Sequence, residues 1–432
     1  MKIAIAGYGL EGESNYRYWS SDLRNEITIV DQKQPSRTIP DNVPTIIGED
    51  AFERLDGFDL VIRTAGLSPF KIKTDGKIWS ATNEFFEKCP ASIIGVTGTK
   101  GKGTTSSLIA SIFEAAGKKV WLVGNIGIAS LDVLPKINKD DVVVFELSSF
   151  QLWDLERSPQ IAVVLPIEPE HLDVHKNFDD YVGAKSNIRR HQKSGDLCVY
   201  HSNNEIAAKV ARITEEGEII RYGIADDGGS YVDGENFCRE GRKICSVSSL
   251  KLVGGHNIEN ACAAITVAKF FDLSDEDIEK GLQNCHGLPY RLEFVREVKG
   301  VKYYNDSFSS SPSATVAAIK SFNQPEILII GGIDRGADFS ELCNVIAEKN
   351  NIKEVVIIGE IRHKLADMIK QAGFHNRIEI ADNNVLESIV KLAESYAEPG
   401  DVVVLSPACA SFDMFRDFYD RGDKFKETVN NL

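Results

Sequence analysis

Short apolar runs punctuate the chain between longer amphipathic stretches. They are Ile3–Ala6, Ile27–Val30, Leu60–Ile62, Ile93–Val96, Val120–Val123, Val142–Phe145, Ile161–Leu165, Ile327–Ile330, Val355–Ile358 and Val402–Leu405. Many are rich in Val and Ile at consecutive positions, which predicts parallel strands buried on both faces. The amphipathic stretches predict crossover helices, and the alternation predicts an α/β protein built of layers. Three strand-then-glycine starts are read as domain openings: Ile3–Ala6 into Gly7 and Gly9, Ile93–Val96 with Gly95 and Gly98, and Ile327–Ile330 into Gly331 and Gly332. Three α/β domains are therefore expected, over residues 1–90, 91–289 and 290–432. Cys89-Pro90 marks the first join. Gly287 and Pro289 mark the second, where they would stop a helix expected over residues 275–285. Residues 226–250, opening on Asp226-Asp227-Gly228-Gly229, read as a loop and hairpin insertion.

Composition narrows the function classes. A chain of 432 residues suits about three domains and needs no disulfide or metal to fold. Its net charge of −15 makes it a poor general binder of nucleic acid or anionic membrane. No apolar run approaches the roughly 18 residues of a membrane span, and Met1–Ala6 read as a strand, not a signal peptide. The eight cysteines include no C-x-x-C pair, so zinc-ribbon and thioredoxin chemistry are unsupported. Scattered thiols in an acidic chain fit a reduced, cytoplasmic protein.

Several motifs carry chemistry. Gly7-x-Gly9-x-x-Gly12 follows a strand, and Asp31 ends the next one, where a ribose-binding acid is expected. Glu11 puts a negative charge beside that turn, which counts against a tight dinucleotide fit. Thr97-Gly98-Thr99-Lys100-Gly101-Lys102-Gly103-Thr104-Thr105 lies between a strand and a helix-like stretch, Ser106–Ala116. Its backbone N–H groups can cradle phosphates, Lys102 can reach the β- and γ-phosphates, and Thr104 or Thr105 can place a hydroxyl on Mg²⁺. The loop is a variant, with Val96 and Gly103 where the usual pattern has Gly and Ser/Thr. Glu146 ends a buried strand, placed either to cap the next turn or to hold Mg²⁺. Leu147-Ser148-Ser149-Phe150-Gln151 adds hydroxyls and an amide. His171-x-x-x-His175 has zinc-protease spacing, but Leu172 stands where the required Glu would be. His171 near Glu146 could instead ligate a second Mg²⁺, and Lys185 by default is a solvated helix lysine.

Together these motifs resemble the Mur ligase family of ATP-dependent amide-forming enzymes. The resemblance runs in order through Gly98-Thr99-x-Gly101-Lys102, Gly124-Asn125-Ile126-Gly127, Glu146–Gln151, Glu170–Asp173, Ala184-Lys185, Gly255-His256-Asn257-x-x-Asn260, Gly287–Arg291, Asn305-Asp306-Ser307 and Leu405–Asp413, and ends at Arg421-Gly422. It implies a Rossmann-like N-terminal domain for a UDP-linked substrate, a central P-loop ATPase domain, and a Rossmann-like C-terminal domain for an amino acid. The implied reaction joins glutamate, the D-isomer first, to UDP-N-acetylmuramoyl-L-alanine in peptidoglycan precursor synthesis. ATP is split to ADP and phosphate through an acyl phosphate. An L-glutamate-adding relative and a folylpolyglutamate synthase-like ligase are the alternatives. A folate enzyme would begin near the phosphate loop, which leaves residues 1–90 unexplained.

Residue by residue, the resemblance implies that Gly98, Thr99, Gly101, Lys102, Gly103, Thr104 and Thr105 hold the ATP phosphates. Asn257 and Asn260 lie near the adenine, and Arg291 and Asp306 close on ATP from the third domain. Thr104 and Glu146 ligate one Mg²⁺; His171 and Lys185, carrying CO₂ as a carbamate, support another. Asn125, Ser148, Gln151 and His171 contact the muramoyl-alanine end, and Gly9, Leu10, Asp31 and Gly66 the uridine diphosphate. Arg335, Ser411 and Phe418 face the amino acid. The family usually has Lys where Arg335 and Phe308 stand, and often His where Tyr290 stands, so the departures gather at the amino-acid pocket. Small-molecule substrates, no nucleic acid, no membrane insertion and a monomer are expected.

Overall fold

A computed structural model describes residues 1–125, 129–225, 228–381 and 385–432. Each apolar run named above is a strand within it. The first sheet runs, in spatial order, Thr45–Ile47, Glu26–Asp31, Lys2–Ala6, Leu60–Arg63 and Lys77–Ser80, all parallel. Its order reverses between Lys2–Ala6 and Leu60–Arg63. The crevice beyond those two strand ends is where a doubly wound sheet binds ligands.

The second sheet runs Glu218–Tyr222, Leu197–His201, Ile161–Val164, Ser92–Thr97, Val142–Glu146 and Val120–Gly124, again parallel. An antiparallel meander of Tyr231–Asp233, Asn236–Arg239 and Arg242–Ser246 realises the expected insertion, although Asp226 and Asp227 lie outside the described residues. The last sheet runs Glu293–Val298, Val301–Asn305, Val402–Leu405, Glu326–Gly331, Ile352–Ile358 and Arg377–Ile380. Only its first pair is antiparallel. The strands that hydrophobic runs did not announce include Lys77–Ser80, Glu218–Tyr222 and Arg377–Ile380. These are sheet edges, which carry charges that discourage further pairing.

The first two large sheets and the meander share one compact unit, Met1–Leu250 with Ile258–Asn284. The last sheet forms the other, Lys251–Asn257 with Cys285–Leu432. Within the first unit, Phe85 and Phe86 of helix Ala81–Lys88 pack on Phe145, one residue before Glu146, with centroids 5.4 and 5.6 Å apart. Burying each such ring contributes about 1.5–3 kcal/mol, so the first sheet's last helix is a firm base for the second sheet. All eight cysteines are free thiols, seven of them buried. No helix among the described residues is long and apolar enough to cross a membrane.

Candidate active site

The phosphate loop leaves strand Ser92–Thr97 and enters helix Lys102–Ala115, which starts earlier than the apolar pattern suggested. Gly101 precedes the helix with φ 82°, a left-handed conformation that glycine adopts without strain. A Cβ there would also lie 2.5 Å from Asn260 Oδ1. Asn260 accepts a hydrogen bond from Thr105 Oγ1 at 3.2 Å, so it sits against the loop as well as on its own helix. Asn257 donates from Nδ2 to the Val253 carbonyl at 2.7 Å.

Three strand ends converge around this loop. Val96 is in register with Glu146, and Glu146 with Gly124, so the buried Glu146 carboxylate and Asn125 flank the loop on one side. Thr97 pairs with Val164 on the other. Thr99 Oγ1 accepts from the Glu168 N–H at 2.8 Å and lies 3.1 Å from the Tyr181 hydroxyl. Ile126 and Gly127 of the Gly124–Gly127 motif lie outside the described residues.

Lys102 and Lys185 meet on one acceptor. Lys102 Nζ donates to the Gly98 carbonyl at 3.1 Å, and Lys185 Nζ to the same oxygen at 2.8 Å. Lys185 is only 1% exposed, so it is no solvated helix lysine. Burial, then the Lys102 charge, holds its amine well below the usual lysine range, against the pull of Glu170 and Glu146. Burial therefore favours the neutral form of this amine over the charged one.

Helix Phe178–Arg190 carries Lys185, with Tyr181 one turn earlier. Lys185 Nζ lies 4.7 Å from the Tyr181 ring centroid, and the His171 ring is 6.5 Å from that centroid. Tyr181 thus borders both the buried lysine and the exposed His171, which has φ 58° and packs 5.0 Å from Phe150. Tyr181 had no sequence signal except its spacing from Lys185.

His175 takes a different place from His171. It is buried, with Nδ1 2.9 Å from Asp180 Oδ2 and Nε2 3.0 Å from Ser149 Oγ, and it stacks on Phe150. The neighbouring Ser148 and Gln151 form a capping box on the short helix Ser149–Leu152. This ties the His171 turn to the Ser148–Gln151 turn.

A second set lies at the first sheet's switch point. Gly12 packs helix Leu10–Ser20 against the strand turn, since a Cβ there would lie 2.2 Å from the Gly7 carbonyl oxygen. Asp31 Oδ2 accepts the Tyr8 N–H at 2.8 Å and braces the turn, while Gly9 faces open space. The Glu11 carboxylate is engaged by the Ala65 N–H at 2.8 Å, beside Gly66, and burial raises its pKa.

In the other unit, Asp306 accepts from Ser406 Oγ at 2.7 Å and from the Leu292 N–H at 3.1 Å, and burial pushes its pKa up to about 6. The Arg291 guanidinium lies 4.1 Å over the Phe308 ring, which meets Phe418 edge-on at 5.0 Å. Ile333 pairs with Ala410, which brings the Arg335 loop beside Ser411, and Arg335 lies 5.0 Å over Phe412. The buried Arg421 gathers this cluster by donating to Ser307 Oγ at 2.9 Å and to the Cys409 carbonyl at 3.2 Å. Its place in the Arg421-Gly422 motif was the only hint of it in the chain.

Among the described residues, no three His, Cys, Asp or Glu side chains converge as a closed metal cage. The buried Glu146 carboxylate and the Thr104 hydroxyl are hard oxygen donors. They fit Mg²⁺, which keeps waters and shares phosphate oxygens.

Comparison with known proteins places this geometry. A family model described as the Mur ligase middle domain matches residues 96–268, and one described as the Mur ligase glutamate ligase domain matches residues 290–409. A UDP-N-acetylmuramoylalanine--D-glutamate ligase of Clostridium tetani is 36% identical over 452 residues, covering 100% of this chain and 97% of the relative. A ligase of the same name from Clostridium kluyveri is 37% identical with the same coverage. Among solved structures, UDP-N-acetylmuramate-alanine ligase MurC from Thermotoga maritima superposes with TM-score 0.62 at 17% identity, covering 100% of this chain and 99% of that one. MurF ligase from Thermotoga maritima in complex with ADP superposes with TM-score 0.58 at 18% identity, covering 99% and 95%.

Proposed function

The chain belongs to the Mur ligase family, and from that premise we propose that it adds D-glutamate to UDP-N-acetylmuramoyl-L-alanine at the expense of ATP, in peptidoglycan precursor synthesis. The observation that carries this reading is the likeness to D-glutamate ligases along the whole chain, joined to a phosphate loop whose Lys102 and Lys185 share the Gly98 carbonyl beside Glu146.

A carboxylate is a poor acylating agent, so the alanyl carboxylate oxygen first bonds to the γ-phosphorus of ATP as the bond to ADP breaks. The glutamate nitrogen then attacks the acyl carbon. A C–N bond forms, the C–O bond to phosphate breaks, and the nitrogen loses its proton. The loop N–H groups and Lys102 hold the triphosphate while two anions approach. Ser148 and Gln151, fixed by their capping box, orient the muramoyl-alanine end with Asn125 and His171. Asp31, Gly9, Leu10 and Gly66 take the uridine diphosphate at the switch point, and Arg335, Ser411 and Phe418 take the amino acid. Asn257 and Asn260 are assigned to the adenine, and Arg291 and Asp306 to ATP, by their motifs.

Thr104 with Glu146, and His171 with carbamylated Lys185, would hold two Mg²⁺ ions, which when bound neutralise phosphate charge. The neutral form of the Lys185 amine would bond through its nitrogen to the carbon of CO₂ and release one proton, giving an anionic carbamate with oxygen donors. The domains assigned to these roles are residues 1–90, 91–289 and 290–432, in a cytoplasmic monomer.

Phosphate release with UDP-N-acetylmuramoyl-L-alanine and ATP, assayed separately with D- and L-glutamate, tests the reading. Release only with D-glutamate is expected. Release only with L-glutamate, or only with a folate acceptor, would replace it.

A further inference from the structure

Arg63 ends strand Leu60–Arg63 with no exposed surface, an unusual place for a guanidinium. Its donors point two ways. Nε donates to Asp154 Oδ2 at 2.6 Å and Nη2 to the other oxygen of the same carboxylate, a fork-on-fork pair. Nη2 also donates to the Phe150 carbonyl at 2.8 Å, and Nη1 to the Leu67 carbonyl at 3.2 Å. One planar group therefore grips the Thr64–Leu67 turn of the first sheet and the Ser148–Asp154 segment of the second. The grip has a second anchor: Asn83 Nδ2 donates to the Asp154 carbonyl at 2.9 Å, and Asn83 Oδ1 accepts from the Glu156 N–H at 2.9 Å. The Thr64–Leu67 turn is also held by Glu11, which accepts the Ala65 N–H at 2.8 Å.

Arg63 is removed from water and Asp154 stays 21% exposed, and such a pair rarely stabilises a fold more than well-packed apolar side chains would. What the fork adds is direction. Phe85, Phe86 and Phe145 already glue the two sheets together, but greasy contacts tolerate sliding and rotation. A bidentate pair with carbonyl contacts on both sides does not.

We infer that Arg63 is a positioning residue that locks the uridine-binding turn at Gly66 to the muramoyl-alanine-binding turn at Ser148–Gln151, so that both ends of one substrate are held at a set spacing. The inference rests on the subsite reading given above. Its consequence is that part of the binding energy from the uridine diphosphate end reaches the distant carboxylate through this strut.

The test compares two substrates, UDP-N-acetylmuramoyl-L-alanine and 1-phospho-N-acetylmuramoyl-L-alanine, which lacks the uridine end. The enzymes are the full-length wild type, Arg63→Lys, and Asp154→Asn, which keeps a polar partner if Arg63→Lys does not fold. Thermal melting confirms folding. For the variants, kcat/KM on the full substrate should fall on the order of 10- to 100-fold, with KM for ATP held within about 2-fold. On the truncated substrate the variants should match wild type. An equal loss on both substrates, or no loss on either, overturns the strut and marks Arg63 as merely structural or dispensable. A wild type that uses both substrates equally well overturns the uridine subsite itself, and the strut with it.

Discussion

At the scale of single residues, burial governs Lys185. Loss of solvation comes first, and the Lys102 charge on the same Gly98 carbonyl adds to it, so both weaken the hold of the Lys185 amine on its proton. The carbamate proposed above would account for a lysine among groups that suit a nucleotide with its metal. Lys185→Ala should lose activity by about 100-fold, and millimolar acetate or formate should restore part of it by supplying the missing carboxylate. Full activity of that variant without additives would remove the carbamate from the mechanism. The identity of Lys185 was readable from its motif. Its burial was not, because helix Phe178–Arg190 bears charges at both ends and reads as a surface helix until Thr97, Gly98 and Tyr181 close over it.

At the scale of elements, close approach of helix to strand governs the first sheet's crevice. Gly12 is a spacer: helix Leu10–Ser20 can rest on the Gly7 turn only because nothing projects there. Gly12→Ala should therefore lower stability by about 1–3 kcal/mol, as overpacking does. It should also raise KM for UDP-N-acetylmuramoyl-L-alanine more than KM for ATP. Urea denaturation with parallel kinetics checks both, and an equal rise in the two constants would detach the helix from the uridine end. The Gly7–Gly12 spacing was legible in the chain. The engagement of Glu11 with Ala65 was not, since those residues are far apart in sequence and meet only through the crossover between adjacent strands.

At the scale of the whole molecule, the unit containing the last sheet carries a buried acid at the opening of one of its strands. Glu326 opens strand Glu326–Gly331, and neither of its carboxyl oxygens has a hydrogen-bond partner among the described residues. Burial raises its pKa from 4.5 to about 8, against the attraction of Lys349. The folded state then holds a proton that the unfolded state has released. Stability from this site is complete below 4.5 and is lost as pH rises through about 8. Glu326→Gln should melt close to wild type near pH 5 and above it near pH 8.5. A gap that does not widen with pH would show that the acid is ionised without cost.

The chain's own pattern determined a great deal: consecutive Val and Ile runs dictated parallel sheets covered on both faces, and Gly, Lys and Glu at strand ends announced a phosphate site, because those signals are local and periodic. Tertiary structure alone decided which distant groups share an acceptor or a carboxylate. Lys102 with Lys185, Arg63 with Asp154, and Arg421 with Ser307 and Cys409 are brought together by strand order and burial. Neither property is encoded in the spacing of any one segment.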